Sequence, residues 1–161
     1  MSDQYSNLIV AMGADHAGYQ LKCYLKSYLI EAGAEIIDFG TDSDARVDYP
    51  WFCAHAARAV RDRQANFGIV LGGSGQGEQI SANKVHGVRA ALCPDEYTAR
   101  LARLHNDANV IALGSRVVPP EYAQDILKVF LTTAFEGERH MARLAQISEI
   151  EIDEAKRALE G

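Results

Sequence analysis

At 161 residues, 48% of them hydrophobic and 24% charged, the chain has the size and composition of one globular domain, which excludes a disordered, collagenous or coiled-coil protein. Its formal charge of −6 argues against a nonspecific nucleic-acid binder, and any anion site must be a local cluster of donors. Cys23, Cys53 and Cys93 are odd in number and lie outside any Cys-x-x-Cys pattern, so neither a disulfide framework nor a structural zinc site is expected.

Met1 to Asn7 is polar and leads straight into a strand, and no apolar run approaches the roughly 20 residues that span a bilayer. A chain with no leader, no membrane partner and a cytoplasmic location is expected. Leu8 to Met12 reads as a buried strand, and Leu21, Tyr24, Leu25, Tyr28 and Leu29 give one apolar face to a helix from about Ala17 to Ala32. Gly33 follows as its C′ residue. Glu35 to Gly40 is a second strand, followed by a polar loop to Asp48 and a helix from about Pro50 to Gln64. Gly68 to Leu71 is the third strand, after which the stretch Gly72 to Gly77 opens a short helix toward Lys84. Val88 to Leu92 is a fourth strand, Asp95 to His105 a helix, and Val110 to Leu113 a fifth strand. Helices follow from about Pro120 to Thr132 and from about Glu138 to the C-terminus.

Strands alternating with helices of this length predict a parallel sheet covered on both faces, a three-layer α/β domain of the Rossmann-like, doubly wound type. Residues 1–161 form one domain in this reading. The last helix, about 138–161, comes after the sheet is complete and is expected to be an arm that packs on a partner subunit.

In such folds ligands sit beyond the carboxyl ends of the strands. The first strand ends at Gly13-Ala14-Asp15-His16, the third at Gly72-Gly73-Ser74-Gly75-Gln76-Gly77-Glu78, and the fifth at Gly114-Ser115-Arg116. His105-Asn106, at the end of the helix after the fourth strand, is expected at the same edge, in one shared pocket. Four glycines in the six residues 72–77 expose successive backbone N–H groups, and the helix after them adds its positive end, which suits a phosphate or an oxyanion. No Lys-Ser/Thr follows Gly77, so this is not a Walker A loop, and Glu78 stands where a dinucleotide fingerprint needs its third glycine.

Each residue also has a plainer explanation. Glu78 is a first-turn acid that complements a helix dipole, Asp15 a cap for the helix beginning near Ala17, and His105-Asn106 a favourable helix end. Arg139 and Arg143, four apart with His140 beside them, are a solvated face or a bidentate phosphate clamp. A free glutamate with a pKa near 4.3 is a weak base unless burial raises it, and the positive helix end opposes that rise; the sequence leaves the balance open. No cluster of histidine and carboxylate at metal-ligand spacing is visible, and no cofactor or metal is expected.

Taken together the chain resembles the ribose-5-phosphate isomerase B family, which includes galactose-6-phosphate isomerase subunits. The resemblance runs from Gly13-Ala14-Asp15-His16-Ala17-Gly18 through Asp48-Tyr49-Pro50, the loop from Gly72 to Glu78 and Ala82-Asn83-Lys84. It continues to His105-Asn106, Gly114-x-Arg116 and Arg139-His140-x-x-Arg143. One branch of the family has a catalytic cysteine at the place of Gly73; this chain resembles the branch in which the glutamate matching Glu78 is the base.

The resemblance implies Asp15 and His105 in ring opening, and Ser74 with the loop amides of Gly73, Gly75, Gln76 and Gly77 holding the oxyanion. It implies His16, Tyr49 and Asn106 lining the sugar, and Arg116, Arg139 and Arg143 gripping phosphate. The expected activity is aldose–ketose isomerisation of ribose 5-phosphate and ribulose 5-phosphate through an enediolate. The site is expected at the interface of a homodimer, or of dimers paired into a tetramer. Alternatives are the isomerase of a tetrose or hexose phosphate, a non-catalytic phosphate- or nucleotide-binding regulatory module, and a dinucleotide-dependent oxidoreductase, the last disfavoured by the failed fingerprint.

Overall fold

A computed structural model describes residues 4–160, so Met1–Asp3 of the polar N-terminal lead, and Gly161, lie outside the described residues. Five parallel strands, β1 (Ile9–Ala14), β2 (Glu35–Asp38), β3 (Phe67–Gly72), β4 (Ala90–Leu92) and β5 (Val110–Gly114), form one sheet in the order β2-β1-β3-β5-β4. The helices are α1 (Tyr19–Glu31), α2 (Pro50–Arg61), α3 (Gln76–Ala82), α4 (Glu96–Leu104), α5 (Pro120–Thr132) and α6 (Arg139–Glu160). The three-layer α/β reading holds.

Helices α1, α4 and α5 cover one face, and α2 and α3 the other. The chain moves one way along the sheet from β1 to β2 and from β4 to β5, and the other way from β2 to β3 and from β3 to β4. Right-handed crossovers put the first pair of connections on one face and the second pair on the other, as observed. The direction first reverses between β1 and β3, which is where such a sheet opens a crevice at its carboxyl edge.

Strand alternation divides the core by side-chain size. Val10, Met12, Ile69, Leu71, Ile111 and Leu113 point toward α1, α4 and α5, where Leu25, Leu29, Ile126, Leu127 and Phe130 meet them. Ala11, Val70, Val110 and Ala112 point the other way, toward Cys53, Ala56, Ala57 and Val60 of α2. Small residues on both sides let α2 lie directly on the sheet. At Gly13 a Cβ would stand 2.5 Å from the Phe52 carbonyl oxygen and 3.2 Å from the Cys53 Cα.

Helix α6 is different. Of its 22 residues only His140 is buried, and Met141, Ile147, Ile150, Ile152 and Leu159 are exposed. It runs back beside the β4 edge, where the Glu151 carboxylate accepts the Gly87 N–H at 3.0 and 3.1 Å and lies 3.3 Å from His86 Nδ1.

Gly13→Ala should lower stability by about 1–3 kcal/mol, since the added methyl meets helix backbone that has no side chain to swing aside. A urea titration of wild type and variant measures this, and an unchanged midpoint would contradict the tight seating of α2.

Candidate active site

Three loops leave the carboxyl edge at β1, β3 and β5 and are fastened to one another by backbone contact. A Cβ at Gly114 would stand 2.6 Å from the Ser74 carbonyl. The Ser115 and Arg116 N–H groups donate to the Gly72 and Gly73 carbonyls at 2.8 and 3.0 Å, and the Ser115 hydroxyl donates to the Ala17 carbonyl at 2.7 Å. Between them lies an open cavity of about 400 Å³ whose wall includes Asp15, His16, Tyr49, Ser74, Glu78 and Arg116.

Glu78 occupies the first turn of α3 and is 4% exposed. Gly75, at φ 79°, swings the chain from the strand into the helix, a left-handed conformation that favours glycine. The carboxylate folds back over Gly72, where a Cβ would fall on it. Burial pushes the Glu78 carboxyl above the usual glutamate range, and the nearby Asp15 charge adds to the rise. The backbone N–H groups of Glu78 and Gly75 oppose it and lose. The balance that the sequence leaves open thus falls on the side of a stronger base.

Asp15 is buried, and its Oδ1 accepts the Gly18 N–H at 3.0 Å; α1 starts two residues later than expected, with Gly18 as its N-cap. His16 Nδ1 sits against the Val47 peptide, 3.1 Å from its oxygen and 3.3 Å from its nitrogen, with the tautomer deciding which bond forms. Tyr49 lies over Gly77, where a Cβ would overlap its ring, and the Arg116 guanidinium lies over Gly73. The Ser74 hydroxyl accepts the Gln76 N–H at 3.3 Å.

His105, Asn106, Arg139 and Arg143 do not line this cavity. The expectation that His105-Asn106 shares its edge is corrected by topology. A helix that follows a parallel strand returns to the start of the next one, so the end of α4 lies at the amino edge. There the Arg89 guanidinium, just before β4, donates to the Asn106 carbonyl at 3.0 Å, and the Gly68 N–H at the start of β3 donates to the Asn109 carbonyl at 2.9 Å. Helix α5 returns to the same edge, so α6 begins there, and the Glu136 N–H donates to the Leu104 carbonyl at 2.9 Å. Within one chain the expected site residues therefore fall into two groups at opposite edges of the sheet, separated by the length of a strand, roughly 17–20 Å.

The sequence matches the profile of the Ribose/Galactose Isomerase family over residues 10–147. The chain belongs to that family. Ribose-5-phosphate isomerase B of Escherichia coli is 44% identical over 142 residues, covering 88% of this chain and 95% of that protein. The structure of ribose-5-phosphate isomerase B from Clostridium thermocellum superposes with a TM-score of 0.90 at 46% identity, covering 91% of this chain and 99% of that one. That of the Mycoplasma genitalium enzyme with bound ribulose-5-phosphate gives 0.86 at 37% identity, covering 91% and 98%.

For a member of the ribose/galactose isomerase family the cysteines are informative. Cys53 and Cys93 are buried, and burial raises both thiols, Cys93 to about 12. A side chain at Gly73 would meet Arg116; the position whose side chain would take the space of the Glu78 carboxylate is Gly72. A cysteine side chain placed at Gly72, and not one at Gly73, would occupy the position that the Glu78 carboxylate takes in this chain.

The expectation of no clustered histidines and carboxylates is also corrected. His105, Glu136 and His140 bring their ligand-type atoms within 4.8 Å of one another. Sequence reasoning passed over Glu136: it precedes α6, and the positive φ of Gly137 and Glu138 that turns it toward His140 breaks the helical spacing that would have paired them.

Because the folded chain favours the protonated carboxyl of Glu78, that group's contribution to stability is full below the ordinary glutamate range and is lost as pH rises through its raised value. Glu78→Gln should therefore melt higher than wild type at pH 7, with the gap closing as pH falls toward 4. Melting curves across that range check the sign, and a gap that widens on acidification would mean the carboxyl is not raised.

Proposed function

We propose that this chain interconverts ribose 5-phosphate and ribulose 5-phosphate through an enediolate, with Glu78 as the base that carries the proton between C1 and C2. The observation that carries the reading is the buried Glu78 carboxyl, raised by desolvation and facing the cavity beside a loop of backbone donors. The activity is that named for the relatives, and it is supported by 44% identity with the Escherichia coli enzyme.

The residues of the cavity and those of the opposite edge divide the work of this reaction. Opening the sugar ring takes a proton from the anomeric hydroxyl, which falls to Asp15, and gives one to the ring oxygen, which falls to His105. Glu78 then removes the proton from C2 and returns it to C1. Charge gathering on oxygen meets Ser74 and the amides of Gly73 and Gly77, which line the cavity; of the other two amides expected there, that of Gly75 faces the Glu78 carboxylate and that of Gln76 donates to the Ser74 hydroxyl. His16, Tyr49 and Asn106 line the sugar, and Arg116, Arg139 and Arg143 bind the phosphate.

A five-carbon sugar phosphate is roughly 8 Å long at ordinary bond lengths, too short to bridge the two half-sites of one chain. In this reading a second copy supplies the partner subunit's His105, Asn106, Arg139 and Arg143, and an isologous dimer forms two complete sites. The exposed apolar residues of α6 are consistent with an arm that a partner covers. A cytoplasmic location belongs to the same proposal; among the described residues no helix is long and apolar enough to cross a membrane.

Glu78→Gln should lower turnover by about 10²–10⁴-fold with substrate still bound, and wild-type activity should fall on acidification above the usual carboxylate range. Near-normal turnover in that variant would remove Glu78 from the mechanism.

Mixed with Arg143→Ala and allowed to exchange subunits, Glu78→Gln should recover about a quarter of wild-type activity, because each heterodimer holds one intact site. No recovery in a mixture shown to contain heterodimers would place the whole site in one chain. Comparing kcat/KM for four-, five- and six-carbon sugar phosphates tests the substrate, and a tenfold preference for a tetrose or hexose phosphate, about 1.4 kcal/mol, would overturn the pentose.

A further inference from the structure

We infer that Glu136 is a positioning residue for His105, clamping it against His140 so that it is presented as the acid of ring opening; this rests on the reading of His105 given above. The linker after α5 fixes Glu136 from its backbone, since its N–H donates to the carbonyl of Leu104, the residue just before His105. Gly137 and Glu138 then take φ of 74° and 47°, and the His140 N–H closes on the Gly137 carbonyl at 3.0 Å, so α6 starts at once. This turn lays the buried His140 ring flat on that of His105, with centroids 4.3 Å apart and planes 15° from parallel. One oxygen of Glu136 reaches both rings, at 3.0 Å from His140 Nε2 and 3.9 Å from His105 Nε2.

Arg139 completes the group, with a guanidinium nitrogen 4.0 Å from that oxygen and its Nε 3.3 Å from His140 Nε2. A ring nitrogen cannot give its proton to Glu136 and also accept one from Arg139. The shorter contact assigns the proton to the bond from His140 to Glu136.

The three side chains also have the composition of a metal site, but their geometry does not suit one. An imidazole binds a metal in its own ring plane, and two near-parallel rings stacked face to face do not point their nitrogens at one centre. Glu136 instead holds His140 by a hydrogen bond and lies 3.9 Å from His105, too far to bond it, so it orients His105 through the stacked His140 ring and through its charge. One face of His105 is covered, one nitrogen edge faces a carboxylate counter-charge, and the rest of the ring is left for a substrate in the neighbouring chain's cavity.

The ring step and the base step can be separated chemically. As the furanose opens, the C1–O4 bond breaks, the anomeric hydroxyl loses its proton as C1=O forms, and His105 protonates O4. Ribulose 5-phosphate stays open, because the hydroxyl its ring would need carries the phosphate. Proton exchange at its C1 therefore needs Glu78 and not His105.

The experiment compares kcat/KM for ribose 5-phosphate with deuterium exchange from solvent into C1 of ribulose 5-phosphate, in Glu136→Gln, Glu136→Asp and His105→Asn. Glu136→Gln should lose about 10–10²-fold on the aldose while exchange stays within about twofold of wild type, Glu136→Asp should fall between, and His105→Asn should show the same split more deeply. Equal losses in both measurements, or no loss on the aldose, would overturn the role of Glu136. If His105→Asn splits the two and Glu136→Gln does not, the inference fails and the reading of His105 stands. If His105→Asn shows no split, both fail.

Discussion

The chain commits a carboxylate to a place from which water is largely excluded, and much of the carboxyl edge is arranged around that commitment. Glu78 can lie over Gly72 only because Gly72 has no side chain, and it can enter α3 at that angle because Gly75 accepts a left-handed backbone. The neighbouring loops close on it through contacts that also require glycine, at Gly18 against the end of β3 and at Gly114 against Ser74. A base made stronger by burial is a less stable ion, so the scaffold must hold its geometry without help from that residue. It does so through the backbone bonds from Ser115 and Arg116 to the end of β3 and through the bare backbone packing of α2 on β1.

Strand and helix periodicity was enough to read the architecture. Alternating apolar runs such as Ile69-Val70-Leu71 and Val110-Ile111-Ala112-Leu113 state that both faces are covered, and Pro120 to Thr132 forms a helix over that same span. Asp15, His16, Ser74, Glu78 and Arg116 were legible because strand ends in a parallel sheet share one edge, which needs no knowledge of strand order, whereas Tyr49 came from the family resemblance alone. Two things were not legible. The direction of Glu78's proton affinity depends on burial set against helix amides, a difference of similar quantities that only three-dimensional packing decides. Gly13, part of a motif that looks functional, is required by the closeness of α2, which no local pattern announces.

His105 and Asn106 show how a correct fold can still misplace a site. Parallel strands send their helices back, so the same rule that gathers Asp15, Ser74 and Arg116 at one edge carries the ends of α4 and α5 to the other. The two groups of residues have different characters as a result. One is assembled from loops locked backbone to backbone; the other is assembled from side chains at helix ends, with Glu136, His105 and His140 supporting one another.

The fastening of the carboxyl edge is uneven. The turns after β1, β3 and β5 are pressed together so closely that an inserted residue or a larger side chain would disturb all of them. From Asp42 to Asp48 the chain is held to that edge by little more than the Val47 peptide resting on His16. Tolerance of insertion and deletion at the mouth of the cavity is therefore concentrated in one segment. Drift across generations can reshape the rim there while the floor around Glu78 stays unchanged.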